Sequence, residues 1–182
     1  MKQATRLSPA LASSLLVIVA VFSLLLLAFS RGTGNPVVQP VATLVSMGLL
    51  FFSTHPLGHF LVARAEGVHT EYFFVGRSDF RKLKMKPMSL IGGLVPTIGT
   101  KLRKDELSSL SPRKRGYIFG AGVIVSNSLM GIELLYVLLA RFGLASIILG
   151  ALLFVATVTT EAMFSTKVGD LVKMRNEFKK IQ

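Results

Sequence analysis

Four long stretches of this chain carry almost no charge, and that pattern constrains the fold more than any other feature. Ala10 to Phe29 is 20 residues without a charged side chain, the length an α-helix needs to cross a bilayer. Val37 to Val62 is a second such run, punctuated only by Pro40, Pro56 and two histidines. Tyr117 to Ala140 and Gly143 to Met163 form the third and fourth, with one carboxylate in each. In hydrocarbon every backbone N–H and C=O has to be satisfied within the segment, so runs of this kind become helices. The fold class that follows is an all-α polytopic membrane protein of about four transmembrane helices. It reads as a single membrane domain over residues 1–182, with spans at 10–29, 37–62, 117–140 and 143–163.

Only 16% of the 182 residues are charged, against roughly 25% in a soluble domain. No ordinary-sized soluble domain fits in what remains. There is no cysteine, which removes disulfides, thiolate metal sites and thiol catalysis. The polar stretch from Arg64 to Gly116 holds 12 Lys/Arg against 5 Asp/Glu. Within it Val68 to Val75 has strand-like composition, and Leu90 to Val95 reads as a second short strand around a glycine turn, giving a small β-hairpin. The tail, 167–182, is a basic, helix-compatible segment suited to a membrane surface.

Charge placement predicts the orientation. The N-terminus, the central loop 64–116 and the tail hold 2, 12 and 5 Lys/Arg, while the other two connections hold only Arg31 and Arg141. Basic loops stay inside, so the expectation is an integral protein of the cell membrane with both termini and the central loop cytoplasmic. Lys2 and Arg6 ahead of the first run also fit a cleaved signal peptide, but that apolar run exceeds the usual 7–15 residues, which favours a retained helix. Either way the remaining spans keep their orientation. The net charge of +12 fits anionic headgroups, since the cations flank spans. With no base-stacking module, nucleic acid is not an expected partner.

Polar and ionisable groups at bilayer depth are costly and point to function. The candidates are His55, His59, Asn127, Glu133, Glu161 and, just past the last span, Asp170. The topology puts all of them except Glu133 in one leaflet. His55 and His59 are four residues apart, so both rings project from one helix face. That spacing suits two imidazoles on one metal ion. It also suits two histidines hydrogen-bonded at a helix interface, and the spacing alone leaves both readings open.

The segment Thr54-His-Pro-Leu-Gly-His-Phe-Leu-Val-Ala-Arg-Ala-Glu-Gly-Val68 resembles the zinc-binding segment of the site-2 protease (M50-like) family of intramembrane metalloproteases. The paired histidines, Gly58, Ala63 and Gly67-Val68 carry the likeness. Ser111-Pro-Arg-Lys-Arg-Gly116 leading into Gly120-Ala-Gly-Val-Ile-Val-Ser-Asn127 is similar to the family's basic lead-in and asparagine-containing helix. Lys167-Val-Gly-Asp170 stands in the place of its Asp-Gly motif, and Gly92-Gly93 loosely matches its glycine-containing hairpin. The resemblance implies a zinc cofactor on His55, His59 and Asp170, with Asn127 lining the site.

The departures are specific. Pro56 occupies the position of the glutamate that polarises the attacking water, Val123 replaces a proline, and Asp170 follows its glycine instead of preceding one. Losing a positioned general base costs roughly 10²–10⁴ in rate. The leading reading is therefore a metalloprotease-like membrane protein that is catalytically impaired or non-proteolytic. It either keeps the zinc site on His55, His59 and Asp170 or serves as a scaffold that binds transmembrane segments of other proteins and retains the histidines for packing. A second reading is an active protease using another base, for which Glu161 is the candidate. A third is a small ion-binding or transport bundle, resting on Glu133 and Glu161.

Overall fold

The computed structural model describes residues 5–77, 96–165 and 169–181. A short strand β1 (Thr5–Leu7) leads into α1 (Pro9–Thr33), followed by α2 (Val38–Ala65), β2 (Thr70–Arg77) and β3 (Pro96–Leu102). A short helix α3 (Lys104–Ser109), the long α4 (Pro112–Leu139) and α5 (Leu144–Thr160) come next. A π-helical turn at Glu161–Ser165 and a final helix α6 (Asp170–Phe178) close the chain.

Four of these helices are long and apolar enough to cross a membrane: α1, α2, α4 and α5 continued to Met163. Their starts are written locally. Ser8-Pro9 and Ser111-Pro112 repeat one device, a serine cap before a proline whose missing N–H needs no partner in the first turn. Ser8 Oγ accepts from Leu11 N at 3.4 Å and Ser111 Oγ from Lys114 N at 3.5 Å. Between α1 and α2, Gly34 takes a left-handed φ of 62° that ends the first helix. Asn35 Oδ1 then accepts from the amides of Val37 and Val38 at 2.9 and 3.2 Å to start the second.

The expected hairpin is part of a larger element. β1, β2 and β3 form one antiparallel sheet in that order. Its first long strand overlaps the strand-like run at Val68–Val75, and its second lies at Pro96–Leu102. The strand and glycine turn expected at 90–95 fall outside the described residues. The third strand, from Thr5 to Leu7, had no signature beyond three residues of a polar N-terminus. Phe73, fully buried, anchors the sheet on Ala12 and Leu16 of α1 and Leu57 of α2. Because β1 pairs with β2, the start of α1 and the end of α2 lie at one end of the bundle. Glu66 binds Lys114 at 2.8 Å, which brings the start of α4 to that end too. At the opposite end Gln39 Oε1 accepts from Gly143 N at 3.0 Å and Arg31 Nε donates to the Ala140 carbonyl at 2.5 Å.

Candidate metal centre

The site lies where α2 crosses α4, near the end of the bundle that carries the sheet. Glycines set the closeness of the crossing. A Cβ at Gly58 would lie 2.8 Å from the Ala121 carbonyl oxygen. A Cβ at Gly122 would fall on His59 Nε2 and within 2.9 Å of the His55 carbonyl. Only glycine lets the two backbones meet here while leaving volume for an imidazole.

His55 and His59 project from one face of α2, their ring centroids 5.2 Å apart and inclined at 77°. Each ring is held from α4 through Nδ1. His59 Nδ1 is 2.8 Å from the Ile118 carbonyl, which can only accept, so Nδ1 carries the proton. His55 Nδ1 is 3.4 Å from Ser126 Oγ, whose own proton goes to the Gly122 carbonyl at 2.8 Å. The serine therefore accepts from His55 as the carbonyl does from His59. Both Nε2 atoms are left with lone pairs turned toward the same space, the arrangement that ligating histidines adopt when an outer partner fixes the tautomer.

Asp170, the first residue of α6, completes the group. Its Oδ2 lies 3.4 Å from His55 Nε2 and 3.2 Å from His59 Nε2, while Oδ1 accepts from Lys173 Nζ at 2.9 Å. One atom from each of the three residues falls within 4.8 Å of the others. Three electron-pair donors converging this closely repel one another unless a cation sits among them, either protons on the imidazoles or a metal ion. With protonated imidazoles, burial of Asp170 opposes its ionisation. The hydrogen bonds from His55 and His59 and the charge of Lys173 outweigh this and hold the carboxyl well below its usual range. For a metal, tetrahedral bond lengths of about 2.1 Å put neighbouring ligand atoms about 3.4 Å apart, which the two Asp170 contacts match. The donor set fits zinc.

Comparison with known proteins bears on the same residues. Peptidase family M50 matches residues 42–181. The chain belongs to peptidase family M50. That span holds His55, His59 and Asp170 and leaves out β1, α1 and the first turn of α2. Among curated relatives, "Putative zinc metalloprotease Cj1068" of Campylobacter jejuni is 33% identical over 122 residues, covering 59% of this chain and 32% of that one. The chain thus spans about a third of the length of that relative. No solved structure matches.

The other positions picked out from the sequence of this M50 protein lie around the centre in different ways. Asn127 follows Ser126 on α4, half-buried, with Oδ1 buried and without a hydrogen-bond partner among the described residues. Glu161 opens the π-helical turn after α5 and is not a member of the three-residue group. Pro56 lies inside α2, which continues through it, and is fully buried. Its carbonyl accepts from Thr100 Oγ1 of β3 at 3.3 Å, so the sheet is tied directly to the turn that carries both histidines. Sequence reasoning missed Ser126, Gly122 and the Ile118 carbonyl. Ser126 had a signal, its place beside the recognised asparagine. A main-chain carbonyl has none.

Proposed function

We propose that this M50 protein is an intramembrane metalloprotease homologue that holds zinc through His55, His59 and Asp170 and is impaired in hydrolysis. The observation that carries the reading is the coexistence of a complete three-ligand set with Pro56 at the general-base position. Among the described residues Asp170 is the one carboxylate in the group, and a ligating carboxylate is not free to take a proton from water. Bound zinc would supply Lewis-acid polarisation of a carbonyl or of water. This chain's own contribution is to fix two imidazoles through Ile118 and Ser126 and to present Asp170 from a separate helix. Without a base the rate deficit is roughly 10²–10⁴.

The reading extends to location and partners. The site elements share an end of the bundle with the three-stranded sheet and the start of α4. Of the 21 Lys/Arg, 19 lie in the N-terminal segment, the loop 64–116 and the tail, which are assigned to that side. We place that end at the cytoplasmic face of the cell membrane. The ligands we favour beyond lipid are transmembrane segments of other proteins.

Two measurements on detergent-purified protein test this. Metal analysis is expected to give about one zinc per chain, lost in His55→Ala and His59→Ala. Folded wild type without zinc overturns the metal assignment. Incubation with a transmembrane peptide is expected to give little or no cleavage, and Pro56→Glu to raise it. Efficient wild-type cleavage abolished by Asp170→Ala would overturn the impairment and leave an active protease with another base.

A further inference from the structure

The two histidines and the aspartate reach the centre by different routes. His55 and His59 are built into α2, a 28-residue helix locked against α4. Asp170 is the first residue of α6, which is nine residues long. A helix of that length is not stable alone, so packing against the rest of the protein must fix where its first residue lies.

That packing is chiefly on α4 and is specific. Gly116 and Gly120, four apart on one face of α4, leave a shallow groove. A Cβ at Gly116 would come within 2.9 Å of the Phe178 ring, and one at Gly120 would overlap Met174 Sδ. Phe178 also meets the Tyr117 ring edge-on at 5.7 Å between centroids. Met174 and Phe178 are themselves four apart, so one face of α6 fits one face of α4. A partly buried ion pair secures the distal end: Arg115 Nε donates to Glu177 Oε2 at 2.9 Å. The same guanidinium is held by the carbonyls of Leu110 at 2.6 Å and Ser108 at 3.2 Å, so it is a fixed anchor for Glu177.

We infer that α6 is a docking strap that delivers the third ligand, and that Gly116, Gly120, Arg115, Met174, Glu177 and Phe178 are positioning residues for Asp170. The inference rests on the zinc reading of the centre. Glu177 is seven residues from Asp170, about 10 Å along a helix at 1.5 Å per residue, so it acts on the metal only through the placement of α6. Undocking leaves two imidazoles, one ligand fewer than even an open catalytic zinc site uses. The apparent zinc affinity then scales with the docked fraction of α6.

The test is a zinc-affinity cycle on the full chain, read by chelator competition in detergent. Glu177→Arg sets two guanidiniums against each other at the distal anchor. Phe178→Ala removes apolar packing without changing charge and serves as the milder variant. Each is expected to weaken zinc binding about 10–100-fold, the range for loss of an outer support of a metal ligand, and Glu177→Gln to retain most of the affinity. In an Asp170→Ala background neither change should weaken binding further, because both act through that carboxylate. Unchanged affinity in both variants overturns the inference. So do losses that add in full to that of Asp170→Ala, which would mean general damage to the fold. Wild type that binds no zinc fails the metal reading itself, and the strap with it; wild-type zinc indifferent to α6 fails the strap alone.

Discussion

The α2–α4 pair buries polar groups at two levels, and the levels are built differently. At His55 and His59 each ring has an outer partner on α4, and the inner nitrogens face a carboxylate brought from α6. Seven residues further along α4 from Ser126, or about 10 Å at 1.5 Å per residue, lies Glu133. It is 2% exposed, and both carboxyl oxygens are buried without a hydrogen-bond partner among the described residues. The neighbouring Ser46 hydroxyl is directed to the Ser23 carbonyl at 2.7 Å. Among the described residues, what separates the two levels is whether mutually oriented partners converge on the buried group.

The largest break in this comparison is expected at Gly122, because the upper level exists only where that residue has no side chain. Gly122→Leu drives a side chain into His59 Nε2 and against the His55 carbonyl. Zinc content should fall from about one per chain to near zero, with an overpacking loss of about 1–3 kcal/mol in thermal unfolding. Gly131 on the same helix is the control, since a Cβ there would meet only Phe154 at an ordinary 3.5 Å. Gly131→Ala should keep its zinc. Retained stoichiometric zinc in Gly122→Leu would mean that His59 does not occupy its observed place when metal is bound.

A change of opposite sign is expected at the lower level. Replacing a buried polar group that lacks partners with an apolar one of similar size removes a desolvation cost of about 1–3 kcal/mol. Glu133→Leu should therefore unfold at higher temperature in detergent and bind zinc as wild type does. A drop in stability would show that the carboxyl has a partner in the working protein, and the contrast between the two levels would fail.

The legibility of these features in the sequence follows their physics. The four spans were readable because solvation of charge in lipid is a local, additive constraint. The histidine pair was readable because helical spacing fixes a common face. The way Asp170 arrives was not, since that depends on Gly116 and Gly120 meeting Met174 and Phe178 across more than 50 residues of chain. β1 was equally hidden: three residues pair with β2 only because α1 and α2 return the chain to that end. The strand at Pro96–Leu102 was not legible either, because its register is set by pairing with Thr70–Arg77 and not by composition.

The smallest effect distinguishes the two imidazoles from each other. His59 is oriented by a main-chain carbonyl, which no substitution removes, whereas His55 relies on the Ser126 hydroxyl at 3.4 Å. Ser126→Ala deletes that acceptor. It also deletes a bond to the Gly122 carbonyl, which the helix's own amide already serves. The fold should be nearly indifferent, while His55 loses the contact that keeps its proton on Nδ1. Losing such an outer partner costs 10–100-fold in metal affinity, and for a bond this long the expectation is about the lower figure. Zinc should still bind at one per chain but leave faster to a chelator. An unchanged release rate would assign the orientation of His55 to its packing against Phe51, 5.8 Å away between ring centroids, and would make the upper level less dependent on hydrogen bonds than its geometry indicates.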